Sequence, residues 1–170
     1  MSAATLHPVR RTDGPELVQA HLESRDHHGP WVQPFTTLDG FYSWYGEQMT
    51  GANASFVTRE GMSDRIVGVT TLSQIFLKGF QSAYLSYYGM VAFAGRGLMT
   101  TAVCLTIDQA FNNIGLHRLE ANIQPGNHRS IALVKRLGFR KEGFSPRYLQ
   151  IGGVWCDHER WALLADEPYA

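Results

Sequence analysis

Gly95-Arg96-Gly97 sits directly ahead of "LMTTAVCLTID", a run of helix formers. A backbone that bare at the start of a helix suits an anion, because the first helical turn has N–H groups without intrahelical partners and carries the positive end of the dipole. Glycine removes the Cβ that would hold a phosphate away, and Arg96 can add charge beside the amides. The same residues serve equally well as a tight strand-to-helix turn, so the turn alone leaves both readings open. Two other phosphate motifs fail on spacing. A dinucleotide fingerprint needs a third glycine where Thr100 stands, and a P-loop needs a Gly-Lys-Ser/Thr ending that is absent.

Other reactive side chains are scattered. Asp157, His158 and Glu142 could form a carboxylate and imidazole set, although an acid in a strand also pins hairpins. His27 and His28 are adjacent in "HHGPWVQPF", a stretch expected to be loop, and lack partners at ligand spacing, so no metal is expected. Cys104 and Cys156 each lie in an apolar run, which fits reduced, buried thiols and a cytoplasmic setting, and neither is placed to carry an acyl group.

The elements that must position these residues follow from periodicity. At 170 residues and 44% hydrophobic, the chain is expected to form one domain over 1–170. Fifteen Lys and Arg balance fifteen Asp and Glu, which gives no basic field for nucleic acid or anionic lipid. "MSAATLHPVRRTDG" has no apolar core of signal-peptide length, and nowhere do eighteen apolar residues run together, so no membrane association is expected.

A short strand in "ATLHPV" precedes a turn at Asp13-Gly14-Pro15 and a helix with Leu17, Ala20 and His21 on one face. "TLDGFYSWYGEQMTGA" reads as an aromatic helix ended by Gly51. "SFVTRE", "RIVGVTTLSQIF" and "SAYLSYYGMV" read as a three-strand meander. A buried helix closed by Asn113 and Gly115 follows, then the strand "HRLEANIQ" and a helix carrying Ile131, Val134 and Leu137 ahead of a Gly138 cap. "RKEGFSPRYLQI" and "VWCDHERWALL" form a final hairpin at Gly152-Gly153. The expected class is α+β around one mostly antiparallel sheet.

"FAGRGLMTTAV", "GLHRLEANIQPGNHRSIALVKRLGFRKEGF" and "YLQIGGVWCDHERWALL", in that order, resemble the GCN5-related N-acetyltransferases (GNAT), in particular their RimJ/RimL-like ribosomal-protein alanine acetyltransferase branch. The resemblance implies a mixed sheet with helices on both faces, splayed after the fourth strand to admit acetyl-CoA. It implies that Gly95, Arg96, Gly97, Leu98 and Met99 cradle the pyrophosphate. Met90 and Val91 would pair with the pantetheine arm and offer an oxyanion donor. Asn127 and Ser130 match the family's N-x-x-S near the pantetheine amides and sulfur, which makes Ser130 the candidate proton donor. The tyrosine that many members carry four residues after that serine is replaced by Val134. Gly89, unusual in the fourth strand, is expected to mark a bulge.

The resemblance further implies direct acetyl transfer to a primary amine, a protein N-terminus or a small molecule, in a ternary complex. Trp31, Phe35, Tyr87 and Tyr148 are the candidate acceptor-side residues. The central stretches of the strands flanking the implied cleft hold no Asp, Glu or His to act as base. A homodimer is compatible with the resemblance. The alternative is a module that binds acetyl-CoA with little or no turnover.

Overall fold

The computed structural model describes residues 4–169. Strand β1, Ala4–Pro8, pairs antiparallel with β2, Ala54–Glu60, which continues into β3, Ile66–Phe76, and β4, Ser82–Gly89. The second half contributes β5, Arg118–Ile123, and the hairpin of β6, Arg140–Ile151, and β7, Val154–Leu164. All seven join one sheet in the order β1-β2-β3-β4-β5-β7-β6.

The two halves meet at the single parallel pair, β4 with β5, and that pair is short. It covers Ser82 with Arg118, Ala83 with Leu119 and Tyr84 with Glu120, while β4 runs on to Gly89 and β5 to Ile123. Beyond Tyr84 the strands part, and the expected splay is present.

Period-two alternation divides the sheet's side chains between two apolar layers. Leu72, Ala83, Leu85, Leu119 and Ala121 pack beneath α4, Leu98–Asp108, and α5, His128–Arg136, with Val103, Ile107, Val134 and Leu137. On the opposite face Val57, Val67 and Val69 meet α1, Gly14–Glu23, and α3, Leu38–Thr50, through Leu17 and Phe41.

Four local expectations change. His27 and His28 lie in a short helix, α2, Arg25–His28, and loop begins only at Gly29. Strand β4 stops at Gly89, and Val91–Phe93 form a 3-10 turn, so Met90 and Val91 lie past the strand. The helix before Gly115 is α-helical only to Asp108 and continues as a π-helical segment over Gln109–Ile114. Cys104 and Cys156 form no disulfide among the described residues and are only half-buried. Among the described residues, no helix is long and apolar enough to cross a membrane.

Candidate active site

At the start of α4 both glycines adopt left-handed backbone, Gly95 and Gly97 each at φ +76°, with open space where a side chain would stand. The N–H groups of Thr100 and Thr101 turn back to Gly97 O at 3.0 and 3.3 Å. Among the described residues, no protein acceptor meets the N–H groups of Gly95, Arg96, Gly97, Leu98 or Met99. A row of amides at a helix N-terminus can serve as an anion cradle.

Side chains hold this cradle in place. The Arg96 guanidinium turns away from the amides to pair with Glu60 and covers the Phe93 ring at 5.4 Å. Arg96 therefore contributes its backbone to the cradle. The nearby cation is Arg136 of α5, whose guanidinium donates to Thr100 Oγ1 at 3.4 Å. Met99 anchors the helix to the sheet. A Cβ on Gly89 would stand 2.7 Å from Met99 Cγ, and one on the paired Gly68 would collide with Met99 Sδ. The two glycines form a slot for that methionine, and β3 and β4 stay in register there, so Gly89 marks a close approach and not a bulge.

The fork between β4 and β5 is bridged by hydroxyls. Tyr87 of β4 reaches α5, where its hydroxyl lies 2.6 Å from Ser130 Oγ and donates to Ser130 O at 3.3 Å. Burial pushes the Tyr87 phenol up to about 12, with the Ser130 bond working the other way. Asn127 caps α5, its Oδ1 accepting from Ser130 N–H at 3.2 Å. Asn127 and Ser130 thus lie at the fork as one structural unit. Val134 is 0% exposed, so a side chain at that position belongs to the core.

The end of β4 is clamped by the joint between α1 and α2. Ser24 Oγ accepts from Val91 N–H at 3.0 Å, and His28 Nε2 donates to Gly89 O at 3.0 Å. Met90 N–H donates to Val67 O at 2.8 Å. Both amides expected to serve an oxyanion are therefore engaged within the protein. Ser24 did not stand out in the sequence and His28 was weighed there only as a metal ligand, because a helix–helix joint has no motif. One β5 residue was also missed: Asn122, whose Oδ1 is buried without a partner among the described residues.

The acceptor-side candidates separate. Trp31 lies over the β5–α5 loop, 3.2 Å from where a Cβ on Gly126 would stand, and Gln124 Nε2 donates to Pro30 O at 3.3 Å. Phe35 is packed among His21, Trp44 and Phe41 at 4.5, 5.3 and 5.5 Å between ring centres, so its ring supports the loop. Tyr148 bonds Tyr84, the last residue before the strands part, and that bond helps raise the Tyr84 pKa.

Asp157, His158 and Glu142 are not assembled into a set. Asp157 accepts from Arg147 N–H at 2.7 Å, His158 bonds Cys156 O at 2.9 Å, and Glu142 pairs with Arg118, whose guanidinium holds its carboxyl below the ordinary range. Among the described residues no group of three or more His, Cys, Asp or Glu could hold a metal ion.

Residues 4–140 match the family model of the acetyltransferase (GNAT) domain. The chain is a member of the GNAT acetyltransferase family. Within that family it is 31% identical over 171 residues to a probable N-acetyltransferase, YjcK, of Bacillus subtilis, spanning 94% of this chain and 92% of the relative. It is 40% identical over 102 residues to the [ribosomal protein uS5]-alanine N-acetyltransferase of Escherichia coli, covering 60% of this chain and 53% of that protein. Among solved structures, Mycobacterium smegmatis RimJ in complex with CoA-disulfide superposes with a TM-score of 0.88 at 28% identity, over 97% of this chain and 83% of that one. The ribosomal-protein-S5-alanine acetyltransferase of Vibrio fischeri gives 0.86 at 26% identity, over 98% and 96%. This places the GNAT domain beside the RimJ-like branch.

Proposed function

We propose that this GNAT protein transfers an acetyl group directly from acetyl-CoA to a primary amine in a ternary complex. The observation that carries the reading is the row of unpartnered amides from Gly95 to Met99, set beside the fork between β4 and β5. Phosphates suit the amides and the nearby Arg136, and an extended arm bearing amides suits a fork edged by unpaired strand backbone. In this reading Gly95, Arg96, Gly97, Leu98 and Met99 hold the pyrophosphate, while Asn127, Ser130, Met90 and Val91 border the arm.

The Tyr87–Ser130 bridge supplies the proton chemistry. When the tetrahedral intermediate collapses, the carbon–sulfur bond breaks and sulfur takes a proton from Ser130 Oγ. Tyr87 replaces that proton across the 2.6 Å bond and regains one from solvent, while the amine nitrogen releases its surplus proton. A phenol raised to about 12 stays protonated at neutral pH, so the reservoir is full before each turnover. Tyr87 therefore takes the place of the absent tyrosine at 134, reaching the serine from the sheet.

The acceptor enters past Trp31 and Tyr148, and its class is a peptide N-terminus or a small amine of low charge. The setting we propose is cytoplasmic. Thermal shift with coenzyme A, ATP and NAD tests the cofactor, and thiol release from acetyl-CoA with a panel of amines tests turnover. Coenzyme A alone should raise the melting temperature, and thiol release should depend on amine. Equal stabilisation by ATP, or cofactor binding without amine-dependent thiol release, contradicts the reading.

A further inference from the structure

The final hairpin leaves regular pairing just where it approaches the fork. Ser145 stands opposite His158 and Leu149 opposite Cys156, so Pro146, Arg147 and Tyr148 of β6 share the single residue Asp157 of β7. β6 is an edge strand of the sheet, where a bulge and a proline are tolerated. At the centre of the bulge Arg147 takes left-handed backbone, with φ +48°. A residue with a Cβ keeps that conformation only where its surroundings hold it. The holding group here is Asp157, whose Oδ1 accepts the Arg147 N–H at 2.7 Å.

A bulge re-aims a side chain, and this one aims Tyr148. The Tyr148 ring lies against the buried His158, with 5.9 Å between ring centres. Its hydroxyl bonds Tyr84, the last residue of β4 before the strands part. The hairpin tip meets the loop that bears Trp31, where a Cβ on Gly152 would stand 2.7 Å from Gln33 Nε2. The hairpin and that loop therefore stand side by side, and the bulge fixes where Tyr148 sits between them and the fork.

We propose that Asp157 is a positioning residue for the acceptor, acting through Arg147 and Tyr148 without touching the amine. The proposal rests on the acetyltransferase reading. Without its carboxylate the Arg147 N–H loses its partner, the left-handed residue loses its hold, and Tyr148 leaves Tyr84. Acceptor binding then weakens while cofactor binding stays, because the unpartnered amides stand at the start of α4 and not on the hairpin.

The test sets Asp157→Ala beside Asp157→Asn, whose side-chain oxygen can still accept the Arg147 N–H. Proton NMR of the protein alone reads the contact between the Tyr148 and Tyr84 side chains, which should persist in Asp157→Asn and vanish in Asp157→Ala. With alaninamide as acceptor, Asp157→Ala should raise the acceptor KM at least about fivefold and leave kcat and the acetyl-CoA KM within about twofold, while Asp157→Asn restores the acceptor KM. Adding Asp157→Ala to Tyr148→Ala should raise it no further, since both act through one side chain. A contact that survives in Asp157→Ala, an acceptor KM that Asp157→Asn fails to restore, or effects that add in the double variant overturn the proposal. The side-chain contact is read without cofactor or turnover, so failure of acetyl transfer to alaninamide bears on the activity alone.

Discussion

At the scale of single residues, the proposed proton chemistry turns on the hydroxyl bridge between Tyr87 and Ser130. If Ser130 hands its proton to sulfur only as the intermediate collapses, its removal acts on the transition state. Ser130→Ala should lower kcat roughly 10- to 100-fold while the acetyl-CoA Kd changes little, and Tyr87→Phe should reproduce much of the loss. Steady-state kinetics paired with calorimetry checks this, and a fall in affinity without a fall in turnover would make Ser130 a binding residue. The N-x-x-S motif was legible in the chain, and so was the loss of tyrosine at 134. The Tyr87–Ser130 contact was not, because the two residues stand 43 positions apart and meet only through the fork. Phe35 shows the opposite failure: an aromatic on a loop reads as a pocket wall, yet its ring faces His21 at 4.5 Å.

At the scale of elements, α4 is set by what its first turn leaves unpaired and by how that turn is held. The left-handed backbone of Gly97 admits a branched side chain only with strain, and a Cβ there enters the space an anion would take. Gly97→Val should therefore raise the acetyl-CoA Kd at least about tenfold, or about 1.4 kcal/mol, in a titration of the folded variant. An unchanged Kd in a folded protein would remove the cradle from the account. The meander, both long helices of the second half and the terminal hairpin were readable from period and turn residues. What escaped was the short α2 and the stop of β4 at Gly89. Both depend on the α1–α2 joint closing on the strand end through Ser24 and His28, a tertiary bond that no local pattern reports.

At the scale of the whole molecule, the buried histidines tie stability to pH. His21 is lowered from 6.5 to about 4 by desolvation, outweighing its bond to Phe35 O, and His28 is lowered for the same leading cause. The unfolded chain therefore binds the extra protons first as pH falls. The histidine part of the stability is fully present above about 6.5, declines between about 6.5 and 4, and levels off below, the loss from His21 being on the order of 3 kcal/mol. Glu142, lowered from 4.5 mainly by its hydrogen bond to Arg118, adds loss only below about 4.5, so the upper part of the window belongs to the histidines. Melting temperatures from pH 7 to 5 should fall, and His21→Phe should flatten the slope; a slope unchanged by that substitution would assign the effect elsewhere.

The central claim, direct transfer from acetyl-CoA to an amine, is tested most directly by mass spectrometry of protein, acetyl-CoA and an amine panel mixed together and in pairs. The account predicts that acetylated amine appears in step with free coenzyme A only when all three are present, with the protein itself unmodified. An acetylated protein formed from acetyl-CoA alone and discharged by amine, or coenzyme A released without acetylated amine, would contradict it.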